Sequence, residues 1–128
     1  MAFKVKSLLN SFFGILIVSY LVTRAWTLGV FLYFGAESEI VKQITRDPWH
    51  HYHFAIGLIV LALIFRKKRH AASVLPIGLG IFLEEWPIFL YDLGFQTSKL
   101  YLTRVDFVTT LFFIALAIGL SKILQKSN

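Results

Sequence analysis

The stretch that most constrains this chain runs over residues 76–92, an apolar run long enough to cross a bilayer that carries two adjacent carboxylates, Glu84 and Glu85. An ionisable side chain inside a membrane span costs about 2.5–3.5 kcal/mol on insertion scales. Two side by side persist when they are salt-bridged, bind a cation or keep a proton. The run therefore predicts a polar site within an apolar helix. Gly78 and Gly80 precede the acids and Pro87 follows them. A proline at 87 has no N–H to donate to the Leu83 carbonyl, so a kink is expected beside the glutamates, with that carbonyl oxygen freed next to them.

Composition sets the class. With 57% apolar residues, 16% aromatics and only 128 residues, at a mean hydropathy of +0.70, the chain reads as a small all-α membrane protein with room for a single domain over residues 1–128. Cysteine is absent, which excludes disulfides, thiolate metal sites and cysteine nucleophiles. The net charge of +6 would suit nucleic acid, but the basic residues flank apolar runs and form no stripe with interleaved polar contacts. They read as topology signals, and no nucleic-acid partner is expected.

Four apolar segments follow along the chain, at about 7–34, 48–65, 72–91 and 104–120, each near the roughly 20 residues that cross a hydrocarbon core. The first is longer than a signal-peptide apolar region and lacks small residues at a cleavage site, so it reads as a retained helix. Residues 35–47 are polar and suit an external loop or a short interfacial helix. Asp47-Pro48 then has the form of an N-cap followed by proline at the first helical position. Arg66-Lys67-Lys68-Arg69 ends the second helix. A basic cluster of this kind stays cytoplasmic.

The expected architecture is thus a polytopic, four-transmembrane-helix, up-down bundle in a bacterial cytoplasmic membrane with both termini inside. Lys4, Lys6, the basic turn, Lys122 and Lys126 fall on the cytoplasmic side, against Lys42, Arg46, Lys99 and Arg104 outside. Under that topology every acidic residue, together with His50, His51 and His53, lies in the outer half or in external loops.

Helical spacing groups these residues by face. His50, His53 and Gly57 follow i, i+3, i+7 and share one side of the second helix, with Gly57 expected to allow close helix approach and His51 turned elsewhere. Gly78, Glu85 and Asp92 share a side of the third, while Glu84 lies about 100° away with Gly80 and Ile88. Tyr20, Arg24 and Thr27 form a stripe on the first helix. Asp106, Thr110, Phe113 and Ala117 form one on the fourth.

Imidazoles and carboxylates projecting from facing helices make a site for zinc, iron or manganese. The sharpest version is one divalent metal held by His50, His53, Glu85 and Asp106, with Glu84 as catalytic base and Arg24, Asp92 and His51 in the surrounding polar cluster. A second Glu-x-x-His helix and a His-Glu-x-x-His motif are both absent. Each residue also has a plainer reading. The histidines suit a membrane interface, Arg24 a salt bridge to Glu84 or Glu85, Asp47 a cap, and Asp106 a first-turn acid facing the helix dipole. The tryptophans and tyrosines suit an interfacial belt.

His50-His51-Tyr52-His53-Phe54-Ala55-Ile56-Gly57, the basic turn, Gly78-Leu79-Gly80-Ile81-Phe82-Leu83-Glu84-Glu85 and Val105-Asp106 together resemble a group of small multi-pass membrane proteins of unknown function from bacteria and archaea. Those proteins pair a histidine-rich helix start with a glycine-rich segment ending in adjacent acids. The resemblance covers the last two-thirds of the chain. Glu-Glu stands here where Asp-Glu is commoner, and the first helix is unmatched. The resemblance groups the residues and implies no activity.

Three function classes follow from the residues. One is a metal-dependent enzyme acting on a lipid or other amphiphile at the outer boundary. Another is a metal-ion or proton carrier, disfavoured by the sparse polar residues below Glu84. The third is a non-catalytic assembly factor whose polar cluster holds the helices in register. The bilayer is the expected partner, with a lipid-like substrate and self-association into a homo-oligomer as further expectations.

Overall fold

The computed structural model describes residues 2–127, with side chains described over residues 10–124. Lys4, Lys6 and Lys126, used above as topology signals, lie outside the described side chains. Among the described residues the chain is all helical: α1 (Ala2–Phe34), α2 (Glu39–Arg46), α3 (His51–Ile64), α4 (Ala71–Glu84), α5 (Trp86–Asp92) and α6 (Arg104–Ser127), with a 3-10 turn at Ser98–Leu100.

Two helices are long and apolar enough to cross a membrane, Asn10–Phe34 within α1 and Arg104–Leu124 within α6. Most residues of both spans stay exposed, among them Val18, Leu28 and Leu32 on α1 and Val105, Val108 and Phe112 on α6. Such surfaces suit hydrocarbon, because soluble monomers rarely expose large contiguous apolar patches.

The two middle helices depart from expectation. α3 begins at His51, three residues after the predicted start at Pro48. The Asp47 carboxylate does accept from the Trp49 N–H at 2.9 Å, the bond an N-cap would make, but the turn it closes is isolated, and residues 48–50 stay non-helical. His50 is the N-cap instead, in an extended conformation (φ −90°, ψ 158°). The predicted helix at 72–91 is broken at Glu85 (φ −110°, ψ 18°) into α4 and α5. Taken as one span, the pair is bent by 70°. Pro87 has no N–H to continue the ladder to the Leu83 carbonyl and lies in the first turn of α5, where proline is well tolerated, whereas Pro76 is accommodated inside α4. At 14 residues, α3 is about 21 Å long, short of a hydrocarbon core of roughly 30 Å.

The polar connection at 35–47 is a short helix. α1 stops at Gly35, whose φ of +80° suits a residue without Cβ. Ser38 then caps α2, its Oγ accepting from the Val41 N–H at 3.3 Å.

The helices cluster into two compact units, Met1–Trp86 and Pro87–Asn128. In the first, α4 is the central helix and packs against both α1 and α3. Its two glycines work on different sides. A Cβ on Gly80 would sit 2.6 Å from the Leu16 carbonyl oxygen and 2.9 Å from the Tyr20 nitrogen, so α4 touches the α1 backbone there. A Cβ on Gly78 would sit 3.1 Å from the Ala55 carbonyl oxygen and 3.0 Å from Ile59 Cγ1 on α3. Gly57 has nothing within 4 Å, so the close approach expected at that glycine is made at Gly78 instead. Ser19 Oγ donates to the Ile77 carbonyl at 3.0 Å. Higher along both helices Arg24 meets Glu84, so α1 and α4 run parallel. Tyr52 meets Glu85 at the far end from the 66–70 turn, which makes α3 and α4 an antiparallel hairpin. The start of α1 and the basic turn therefore share one end of this unit. The stripe expected on α1 is its buried face: Leu16, Tyr20, Arg24 and Thr27 are each at most 6% exposed.

In the second unit, Thr103 caps α6, its Oγ1 accepting from the Asp106 N–H at 3.2 Å. The Asp106 carboxylate reaches back to accept from the N–H of Leu102 at 3.1 Å, a residue in the left-handed region at φ 60°. The buried stripe of α6 is Asp106, Thr110 and Ile114. Phe113 and Ala117, expected in that stripe, are exposed. The face repeats at i+4 and leaves the predicted line after Thr110.

Candidate functional site

The polar site of the first unit forms where α4 ends, α3 begins and the buried stripe of α1 passes. Both glutamates are buried, Glu84 completely. They face different helices because one helical residue is about 100° of rotation. Glu84 lies on the side of Gly80 and meets α1, while Glu85 lies on the side of Gly78 and meets α3.

Arg24 Nη1 donates to Glu84 Oε1 at 3.5 Å, with the two side chains 6% and 0% exposed. Glu85 Oε2 accepts from the Tyr52 N–H at 2.8 Å. Tyr52 is the second residue of α3, so this N–H is one of the donors left without an intrahelical partner. A carboxylate from another helix thus caps α3, at the end where the peptide dipole favours an anion. Glu85 Oε1 lies 3.6 Å from His51 Nδ1, and the imidazole is half exposed.

His51, Glu84 and Glu85 each offer one ligand atom within 4.8 Å of the others. No other such group of three or more His, Asp or Glu residues occurs among the described residues. The grouping keeps the glutamate pair of the sequence reading and brings His51 to it. In a tetrahedral site with bonds of about 2.1 Å, ligand atoms stand roughly 3.4 Å apart. The His51–Glu85 pair, at 3.6 Å, is close to that separation, and the widest pair would close by at most about 1.4 Å.

His50 and His53 are engaged at the helix start. The His53 Nδ1 accepts from the His50 N–H at 3.2 Å, and the His53 ring stacks on Tyr52 at 4.0 Å between centroids. The same Nδ1 lies 3.3 Å from the His50 carbonyl oxygen, so the ring closes on the N-cap through Nδ1 in either tautomer, and ligation through Nδ1 would compete with that contact. Asp106 belongs to the second unit, where its carboxylate accepts from the Leu102 N–H ahead of α6. Asp92 ends α5 and is exposed.

His50, as the extended N-cap, leaves the helical face it was expected to share with His53, and His51, expected to point elsewhere, is the imidazole that meets Glu85. Also missed was the Tyr52 backbone N–H, whose availability follows from a helix start with no Ser, Thr, Asp or Asn in the N-cap.

Beside this cluster α1 and α3, each seated on α4, leave an open groove of about 290 Å³ lined by Val22, Thr23, Trp26, His51, Phe54 and Ile81. Thr23 spends its hydroxyl proton on the Ser19 carbonyl at 2.8 Å. The groove is therefore almost wholly apolar, with the His51 imidazole as its polar edge.

No protein-family model matches the chain, and no curated protein or solved structure shows significant similarity to it.

Proposed function

We propose that this chain is an integral membrane protein that holds a divalent cation through His51, Glu84 and Glu85 and uses it as a metal-dependent enzyme on a lipid or other amphiphile. The observation that carries the reading is the convergence of two buried carboxylates and one half-exposed imidazole within 4.8 Å. Three protein ligands leave a coordination position open, as catalytic zinc sites do, and one imidazole with two carboxylates also suits iron or manganese. A cation there would polarise an ester or phosphoryl oxygen or activate a water. Arg24, beside Glu84, is placed to offset excess negative charge.

The finer topology belongs to the same proposal. The α3–α4 hairpin joins α1 and α6 to give four membrane segments, with the basic turn and both termini cytoplasmic and the polar cluster in the outer half. The shared end of α1 and the basic turn supports it under the positive-inside rule.

A second reading has its own observation. Both glutamates already have protein partners, Arg24 and the Tyr52 N–H, which suits a polar cluster that fixes helix register without chemistry. Elemental analysis of protein purified in mild detergent separates the two. The wild type is expected to retain about one equivalent of zinc, iron or manganese, His51→Ala and Glu84→Gln to retain none, and the His50→Ala/His53→Ala double variant to keep it. No metal in the wild type refutes the cation site and leaves the structural reading. Metal lost from the double variant and kept in His51→Ala would return the site to His50 and His53.

A further inference from the structure

We infer that the groove between α1 and α3 binds one hydrocarbon chain of an amphiphile drawn from the bilayer, with the amphiphile's polar head at His51. The inference deepens the proposed function and rests on its reading of the polar cluster. Three features of the groove point to this occupant.

Its position is the first. Val22 and Trp26 lie within the α1 span and flank Arg24, so the groove opens sideways from the part of α1 that hydrocarbon surrounds. Val22, Trp26 and Phe54 are 62%, 68% and 65% exposed. A water-filled cleft lined this way would be unfavourable, whereas a hydrocarbon chain replaces water at no polar cost.

Its polarity is graded. Apolar walls lead to a single imidazole, and behind that imidazole stand Glu85 and Glu84. His51 turns Nδ1 toward Glu85, which leaves Nε2 as the nitrogen for a head group. An amphiphile has the same order, an apolar tail ending in an oxygen-bearing head.

Its size is the third. A volume near 290 Å³ sits at the lower limit of small-molecule pockets, roughly 300–1,000 Å³. The groove is open along its length, so it can seat a stretch of one chain against its walls while the rest of the amphiphile stays in the bilayer. The groove persists because α1 and α3 both pack on α4, whose Ile81 forms its floor.

The test uses the full-length protein in detergent, with a fatty acid carrying a photoreactive diazirine midway along its chain. Labelling is expected to saturate near one probe per chain, with the modified residues concentrated at Val22, Trp26, Phe54 and Ile81. Ile81→Trp and, on the other wall, Val22→Trp fill the groove and are expected to lower labelling roughly fivefold or more, since a filled pocket offers the probe no buried surface. Equal labelling of the outward residues Val108 and Phe112 on α6 would mean annular lipid only and would overturn the inference. Protection of the groove by a second copy of the chain, seen as chain–chain cross-links with the probe excluded, would overturn it as well. Metal content measured on the same samples keeps the two claims apart. Labelling retained in metal-free Glu84→Gln refutes neither the groove nor its occupant, whereas metal retained in protein that never labels refutes the groove alone.

Discussion

Removing one member of the buried Arg24–Glu84 pair should cost far more than removing both. The charges stand 3.5 Å apart with almost no exposure, and Coulomb attraction at an effective dielectric near 20 amounts to about 5 kcal/mol at that distance. Desolvation of both groups offsets much of this, so the pair as a whole contributes little net stability against an apolar replacement. A lone survivor has no such compensation. In Arg24→Leu the remaining Glu84 adjoins Glu85, which leaves two neighbouring acids in a buried site. The expected loss is about 3–5 kcal/mol for Arg24→Leu and a similar loss for Glu84→Leu. The double variant Arg24→Leu/Glu84→Leu should lose less than either single, a recovery of more than about 3–5 kcal/mol relative to the sum of the singles. The assay is reversible unfolding in mixed micelles by SDS titration, followed by circular dichroism and Trp fluorescence. Single variants within about 0.5 kcal/mol of wild type, or a double that is simply additive, would refute a coupled buried pair.

Two further outcomes are expected. Gly80→Ala should lower stability by about 1–3 kcal/mol, because its Cβ meets α1 backbone atoms that cannot yield as a flexible side chain would. Gly57→Ala, with open space around it, should be neutral or gain up to about 1 kcal/mol in helix propensity; equal effects of the two would contradict the packing of α4 on α1. The absence of cysteine allows single cysteines to report topology directly. A cysteine at Ser38 should react with a membrane-impermeant maleimide in intact cells and one at Lys67 only after permeabilisation, and the reverse pattern would invert the proposed orientation.

What the sequence disclosed depended on whether one helix sufficed to explain it. The one-residue offset that sends Glu84 and Gly80 to one side and Glu85 and Gly78 to the other is a property of the α-helical repeat, and it is present in the structure as expected. The Tyr20–Arg24–Thr27 stripe is equally local, and so is the start of α6. The helix start expected at 48 is an isolated turn: Asp47 accepts from the Trp49 N–H as a cap would, yet the helix begins only at His51, and the bond alone does not say whether a helix follows. His50 is thereby left outside the helix as its N-cap. That Glu85 caps α3 was beyond reach of any single segment, since the donor is a backbone N–H on another helix. Pro87 announced a kink, but not a break of the helix at Glu85 with a bend of 70°.

The shortness of α3 has a mechanical consequence for any lipid bilayer around the first unit. α1 is long enough to match the hydrocarbon thickness, whereas the hairpin beside it is short by about 9 Å. Lipids seldom leave such a step uncovered; they compress to meet the shorter wall at a cost of fractions of a kcal/mol per Å. The leaflet over the polar end of the hairpin would then dip, bringing headgroups and water down to His51 and the two glutamates. In that geometry the acids sit at the floor of a dimple in the membrane and not deep within it. The penalty for carrying two carboxylates in an apolar run falls accordingly, and the site becomes reachable both by ions from the aqueous side and by lipid from the flank.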